Sequence, residues 1–286
     1  MGKHFLIYFI LIIGSISYSQ NLKLMTYNIR LDVASDGENA WPVRKDFFTS
    51  QIQFYEPDIM GIQEAMPNQV IDLEKSLLQY SQVGLGREGK GKGESSNIFY
   101  KKEKFKVIET NTFWLSDTPD SISKGWDAVC NRVCTFALFY EKDTDRKFWV
   151  FNTHLDHIGE QARAKGLELI LSKIDQFNIH HYPVILMGDF NFEPNDKTIL
   201  GVKKQMYDAR EVVTSMPFGP IGTFNNFEFN KAVTKRIDYI FISKNAKKPS
   251  RNCDYKHYIC VELCSVEFGS NLFCNKSRTS FLYRFS

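Results

Sequence analysis

Residues 183–191 read PVILMGDFN. Val184 to Met187 is an unbroken apolar run behind a proline, the pattern of a short strand buried on both faces. GDFN closes it with a glycine, a carboxylate and an amide. Just upstream, Glu160–Phe177 has the apolar spacing of a long amphipathic helix, and Phe148–His154 before it is strand-like. Working outward, Asn97–Tyr100, Phe105–Leu115 and Val133–Tyr140 are strand-like pieces with no helix between them. Towards the start, Leu22–Ile29 reads as a strand and Trp41–Tyr55 as a helix with Pro42 in its first turn. Asp58–Gln63 reads as a buried strand and Asn68–Leu78 as a helix with Val70, Leu73 and Leu77 on one face. Ile237–Ser243 is the last clear strand. Adjacent strands mixed with strand–helix units predict an α/β fold with mixed sheets.

The chain has 286 residues, which suits one domain, or one with a small appendage. With 43% hydrophobic and 24% charged residues, it has the composition of a globular protein with a sizeable core. Residues 1–19 read as a signal peptide: Lys3 and His4, the apolar run Phe5–Ile13, then Ser17 and Ser19 before Gln20. The run is shorter than the roughly 20 residues of a spanning helix, so export to the periplasm or medium is expected, without stable membrane insertion. Cys253, Cys260, Cys264 and Cys274 crowd the end, and from Asn245 onward seven Lys/Arg face three Asp/Glu. That +4 exceeds the whole-chain +3, so the body is near −1 and shows no strong electrostatic footprint for nucleic acid.

Polar residues gather at the expected strand ends. Asn28 and Glu64 close the first two strands, His154 and Asp156 follow the Trp149–Thr153 strand, Asp189 and Asn191 sit in GDFN, and Asp238 lies just inside the last strand. Open sheets place ligand sites at strand ends, so these distant residues can converge. Their oxygen-rich set suits a hard divalent cation with phosphate better than zinc, which would want more His and Cys. Such an ion polarises a phosphoryl oxygen and helps form a nucleophilic water, and His154 can donate to the phosphoryl group. Singly, each has a plainer reading: Asn28 as a turn residue, Glu64 as a helix-start carboxylate, Asp238 as a partner for Arg236. The combination is far more specific than its parts.

TYNIR (26–30), IQE (62–64), NTHLDH (152–157), GDFN (188–191) and RIDYIF (236–241) resemble, in this order, the motifs of the endonuclease/exonuclease/phosphatase superfamily. DGENAWPVRK (36–45) and FWLSDTPDSISKGWDAVCNRVCTFALF (113–139) resemble a bacterial, often exported subgroup of it. The resemblance spans roughly Leu22 to Lys244. It implies a four-layer α/β sandwich, two packed mixed sheets flanked by helices, over residues 20–244. It implies dependence on Mg²⁺ or Mn²⁺, with Glu64 the main metal ligand and Asn28 beside it. Asp189 would orient the attacking water, Asn191 would hold the phosphate, His154 would stabilise the transition state, and Asp238 would join the catalytic network. Asp156 matches the motif without an assigned role.

Arg132 is a candidate phosphate contact and Trp126, beside Asp127, a candidate stacking surface at the cleft. Arg87, Lys90 and Lys92, on the Gly-rich loop Gly84–Gly93, are weaker candidates for meeting an anionic substrate. The pattern next requires an Asp-His motif, which never occurs after Asp238; in KHYICVEL (256–263) Lys256 stands before His257 instead. Residues 245–286 therefore read as an atypical, aberrant tail, with out-of-frame translation as the leading account and a divergent but genuine end as the alternative; a cysteine–histidine metal cluster there fits no strong zinc spacing. The expectation is an exported, monomeric, metal-dependent phosphodiesterase. Nucleic acid, lipid and sugar phosphates are left open as substrates. The alternatives are a phosphomonoesterase, or a chain impaired by the missing pair and acting at most as a binder.

Overall fold

Alternation along the central strands builds three separate cores. In β1 (Leu22–Asn28), Leu22 and Leu24 face one way and Met25 and Tyr27 the other. In β8 (Val184–Asp189), Ile185 and Met187 point to the same central core as Leu22, whereas Val184 and Leu186 point away from it. Strands with two apolar faces need partners on both, and only a layered fold supplies them. The computed structural model describes residues 22–212, 220–225, 230–246 and the backbone of 261–264. The expected signal peptide lies outside these residues, as does most of the tail, with Cys253, His257, Cys260 and Cys274.

The first sheet comprises β1, β2 (Ile59–Gln63), β3 (Tyr80–Val83), β4 (Ile98–Lys101) and β11 (Val261–Cys264), in the order β11-β1-β2-β4-β3. The second comprises β5 (Phe105–Trp114), β6 (Val133–Glu141), β7 (Arg146–His154), β8, β9 (Met206–Asp208) and β10 (Asp238–Ser243), in the order β5-β6-β7-β8-β10-β9. Both are mixed: β1 runs parallel to β2 and β7 to β8, while β10 is antiparallel to β8. Leu24, Ile59, Ile98, Phe139, Val150, Met187 and Ile240 fill the space between the sheets. On the outside of the first sheet lie α1 (Trp41–Tyr55) and α2 (Pro67–Ser76), which contribute Phe48, Ile52 and Leu73. On the outside of the second lie α3 (Glu160–Phe177) and α4 (Lys197–Gln205), with Leu167, Ile170 and Val202. The order helix, sheet, sheet, helix is the four-layer sandwich expected from the sequence. Each fully buried Leu, Ile or Phe contributes about 1.5–3 kcal/mol.

The strand and helix expectations hold with shifts of a few residues at their ends. Sequence patterning misses β3, α4, β9 and the short α5 (Ala209–Val212). YSQV in β3 is mostly half-buried and polar, so it carries no apolar run. α4 has Gly201 at its centre, and its clearest local signal is the Asp196 cap, whose carboxylate accepts from the Thr198 amide at 2.7 Å.

Near the site the central core turns polar. Gln63 Nε2 donates to Asn152 Oδ1 at 2.7 Å, and Asn152 Nδ2 donates to the carbonyls of Ile62 and Asn97 at 2.9 and 2.8 Å. These buried bonds cross from one sheet to the other and fix their mutual register. Gly61 makes room for them: a Cβ there would stand 2.7 Å from Asn152.

Candidate active site

One edge of the sandwich collects the polar strand ends. β1, β2, β7 and β8 deliver their C-terminal residues there, and antiparallel β10 brings its first residue, Asp238, to the same edge. His154 pairs with Asp189 across β7 and β8, and Asp189 pairs with Asp238 across β8 and β10. Three ionisable side chains thus stand in a row, one strand spacing, about 4.8 Å, apart. Gly188 permits this row. Its φ is +144°, and a Cβ would stand 2.0 Å from the Thr153 carbonyl.

The first sheet meets this row through Asn28. Its Nδ2 donates to Glu64 Oε1 at 2.9 Å and to Asp189 Oδ2 at 3.0 Å. One amide therefore links carboxylates of both sheets. Its Oδ1 accepts from the Arg30 amide, so Asn28 also shapes the turn. Glu64 Oε2 accepts from the Leu31 amide at 3.1 Å. Arg30, Glu64 and Asn191 all take left-handed backbone angles, with φ of 57°, 61° and 51°. Each such residue costs about 1–3 kcal/mol and persists only where its surroundings over-determine it. They do so here. Arg30 holds Asp36 with two bonds of 2.9 and 3.0 Å, and its carbonyl accepts from Arg44 Nη2 and Gln69 Nε2. The DGENAWPVRK stretch supplies Asp36 and Arg44, and so serves to brace this turn.

Asp189 is buried, and burial, with the nearby Glu64 charge adding, pushes its carboxyl up to about 6 although Asn28 and the Asn191 amide bond to it. His154 Nε2 is 3.7 Å from Asp189 Oδ2. Burial, reinforced by Arg132, Arg87 and His157, holds the His154 imidazole well below its usual range, so it is neutral near pH 7. Asn191 Nδ2 donates to the Leu155 carbonyl at 3.1 Å. The Asp238 amide donates to Thr223 Oγ1 at 3.2 Å. Arg236 is not the partner of Asp238 that the plainer reading supposed: it forks onto Asp208 at 3.1 and 2.5 Å.

These groups line a cleft of about 550 Å³. Asn28, Glu64, Arg132, His154, Asp189, Asn191 and Asp238, all singled out from the sequence, share it with Arg87. Trp126 is not among its lining residues; its Nε1 donates to Asp117, and Lys165 covers its ring at 5.6 Å. Asp127 instead accepts from the Ala162 amide at 2.7 Å and caps α3 from a distant loop. Lys90 and Lys92 do not line the cleft either. Sequence reasoning missed Arg30, Glu94 and His157, which do. Glu94 follows the Gly-rich loop directly, and burial raises its carboxyl although Arg87 Nη2 lies 2.7 Å away. His157 stands inside the quoted NTHLDH but was given no role.

Among the described residues, no group of three or more His, Cys, Asp or Glu is placed to hold a metal ion. No helix among them is long and apolar enough to cross a membrane.

Residues 25–254 match the model of the endonuclease/exonuclease/phosphatase family. The chain is 32% identical over 177 residues to an uncharacterized protein of Acanthamoeba polyphaga mimivirus, covering 57% of this chain and 63% of that one. It is 27% identical over 193 residues to a probable RNA exonuclease of Schizosaccharomyces pombe, covering 62% of this chain and 37% of that one. The match therefore spans less than two thirds of either curated relative. An endonuclease/exonuclease/phosphatase from Bacteroides vulgatus superposes with a TM-score of 0.77 at 34% identity, over 90% of this chain and 95% of that one. A mannosyl-6-phosphatase of Bacteroides thetaiotaomicron does so with 0.73 at 38% identity, over 77% and 85%. Enzymes of this family generally depend on a divalent metal ion. The motifs, the sandwich and the matches agree: this chain belongs to the endonuclease/exonuclease/phosphatase family of phosphoesterases.

Proposed function

We propose that the chain is a divalent-metal-dependent hydrolase of phosphate esters that directs water onto phosphorus. The observation that carries this reading is the single Asn28 amide shared by Glu64 and Asp189, with His154 and Asp238 beside them. The donors fit a hard cation. They are carboxylate oxygens, and the upward shift of Asp189, to which Glu64 contributes, is what a nearby positive charge would relieve. Glu64 would hold the ion with Asn28 beside it, and Mg²⁺ or Mn²⁺ suits ligands this few because such ions keep most of their waters. When bound, the ion supplies charge stabilisation at the phosphoryl oxygens.

The chain's own residues do the rest. Asp189 orients the attacking water and takes up its proton, a task suited to a carboxyl raised towards neutrality. Neutral His154 donates a hydrogen bond to the phosphoryl group as negative charge builds there. Asn191 holds a phosphoryl oxygen, and Asp238 orders the Asp189 side of the row.

The substrate we favour is a small phosphorylated molecule, hydrolysed as a monoester. A cleft of about 550 Å³ has the size of a small-molecule site, and the body is near −1. The 38% identity to a mannosyl-6-phosphatase supports the same choice. Phosphodiester cleavage, which the sequence put first, becomes the second reading; the likeness to a probable RNA exonuclease favours it. We further propose that the protein is exported and acts as a monomer, and that the absent Asp-His pair slows its turnover.

Release of inorganic phosphate from a hexose 6-phosphate, set against nucleotide release from an oligonucleotide, tests the choice of substrate. Chelation of divalent ions and Glu64→Gln should each abolish the reaction. Turnover indifferent to both would sink the metal-dependent reading.

A further inference from the structure

Along the edge of the second sheet the order is Arg132 before β6, His154 on β7, Asp189 on β8 and Asp238 on β10. His154 therefore has carboxylates on one side and an arginine on the other. On the proposed function above, a phosphoryl group held at His154 receives water from the Asp189 side. In-line displacement then sends the leaving oxygen towards the Arg132 side.

That side contains a three-residue chain. Asp156 is buried at 1% exposure, and its carboxylate accepts from the amides of Val129, Ile158 and Gly159 at 3.1, 3.0 and 2.7 Å. Its Oδ2 also faces Arg132 Nε at 3.5 Å. Arg132, exposed by only 6%, donates from Nη2 to His157 Nδ1 at 2.9 Å. A guanidinium has no acceptor, so Nδ1 must receive, and the ring hydrogen sits on Nε2. His157 is exposed and lines the cleft, while the two residues behind it are buried.

We propose that Asp156, Arg132 and His157 form a leaving-group subsite, in which Arg132 fixes the His157 tautomer so that Nε2–H donates a hydrogen bond to the departing alkoxide oxygen. This deepens, and rests on, the phosphoesterase reading above. The P–O bond to the attacking water forms as the ester P–O bond breaks. The water's proton passes by way of Asp189 and solvent to the departing alcohol, and His157 keeps its own. His157 and Arg132 thus adapt the site to esters of poor leaving groups such as sugar hydroxyls, which need that donor most.

The test compares a hexose 6-phosphate with p-nitrophenyl phosphate, whose phenolate leaves unaided. Removing one well-placed donor in His157→Ala should lower kcat roughly 100-fold on the hexose phosphate. On p-nitrophenyl phosphate the change should be a few-fold at most. His157→Gln, which keeps a donor near the Nε2 position, should recover part of the loss. Equal losses on both esters by an active enzyme would overturn the leaving-group role alone. A wild-type chain that releases phosphate from neither ester would sink the phosphoesterase reading and this role with it. Two-bond ¹⁵N–¹H correlation spectra of the full chain read the tautomer without turnover. They should show Nε2–H for His157 in wild type and a mixture in Arg132→Leu. An Nδ1–H ring in wild type would overturn the relay.

Discussion

Asp156 and Asp189 are buried almost equally, at 1% and 4% exposure, Asp189 as the last residue of β8 and Asp156 two residues past the end of β7 in the same sheet. Their electrostatics run in opposite directions. Burial works against the Asp156 carboxylate, yet the Gly159, Ile158 and Val129 amides and Arg132 outweigh it and hold the carboxyl below its ordinary range. Asp189 has the Asn28 side chain and one backbone amide, but faces Glu64, and burial wins. Burial alone therefore does not make a reactive carboxylate. The number of donors aimed at it decides in which direction its carboxyl moves.

The largest test of this contrast is Asp189→Asn. It should lower kcat by about 10³, in the range of a lost general base, with little loss of folding stability. Wild-type-like turnover would break the distinction between the two carboxylates. Next comes Gly188→Ala, which sets a methyl against the Thr153 carbonyl at a φ of +144°. It should cost more than about 3 kcal/mol in urea unfolding, since the strand cannot yield without displacing Asp189.

Asp156→Ala should cost about 3 kcal/mol of stability, because it strips buried Arg132 of its carboxylate. A smaller effect separates the two residues by pH. The folded-state value of Asp189 lies above the ordinary carboxylate value, so its contribution is complete below about pH 4. It is lost as pH rises through about 6. The contribution of Asp156 has the reverse sign: present above the ordinary carboxylate range, lost as pH falls through its depressed value. Without divalent ions, the unfolding free energy from urea titrations, and the midpoint with it, should thus fall between about pH 4 and 7, by an amount on the order of 1–3 kcal/mol that Asp189→Asn removes. A midpoint that rises through this window in wild type and variant alike would refute the assignment. The smallest effect is expected at Trp126→Ala, which removes a residue outside the cleft lining and should leave kcat/KM within a few-fold. A loss of 100-fold would return Trp126 to the site.

Much of this was legible in the sequence because it is local. VILM followed by GDFN announces a buried strand and its turn, and Trp41–Tyr55 falls where the helical spacing put it. Glu64, His154, Asp189 and Asp238 could be singled out because strand ends are readable. His157 could not, although it stands in the same motif, because its signal is a bond to Arg132, 25 residues away. Trp126 lies outside the cleft lining for the matching reason: its neighbours Asp117 and Lys165 keep it occupied, and no spacing reveals that.

The sequence by itself determined the residue types, the apolar periods and hence the layers, since an apolar face must be covered whatever covers it. Only the tertiary structure decided which strands lie side by side, and so set His154, Asp189 and Asp238 in one row. It alone set Asn28 between two carboxylates and left one buried aspartate with a lowered carboxyl and the other with a raised one. Those outcomes depend on pairing across the sandwich, where a shift of one residue would point every side chain the other way.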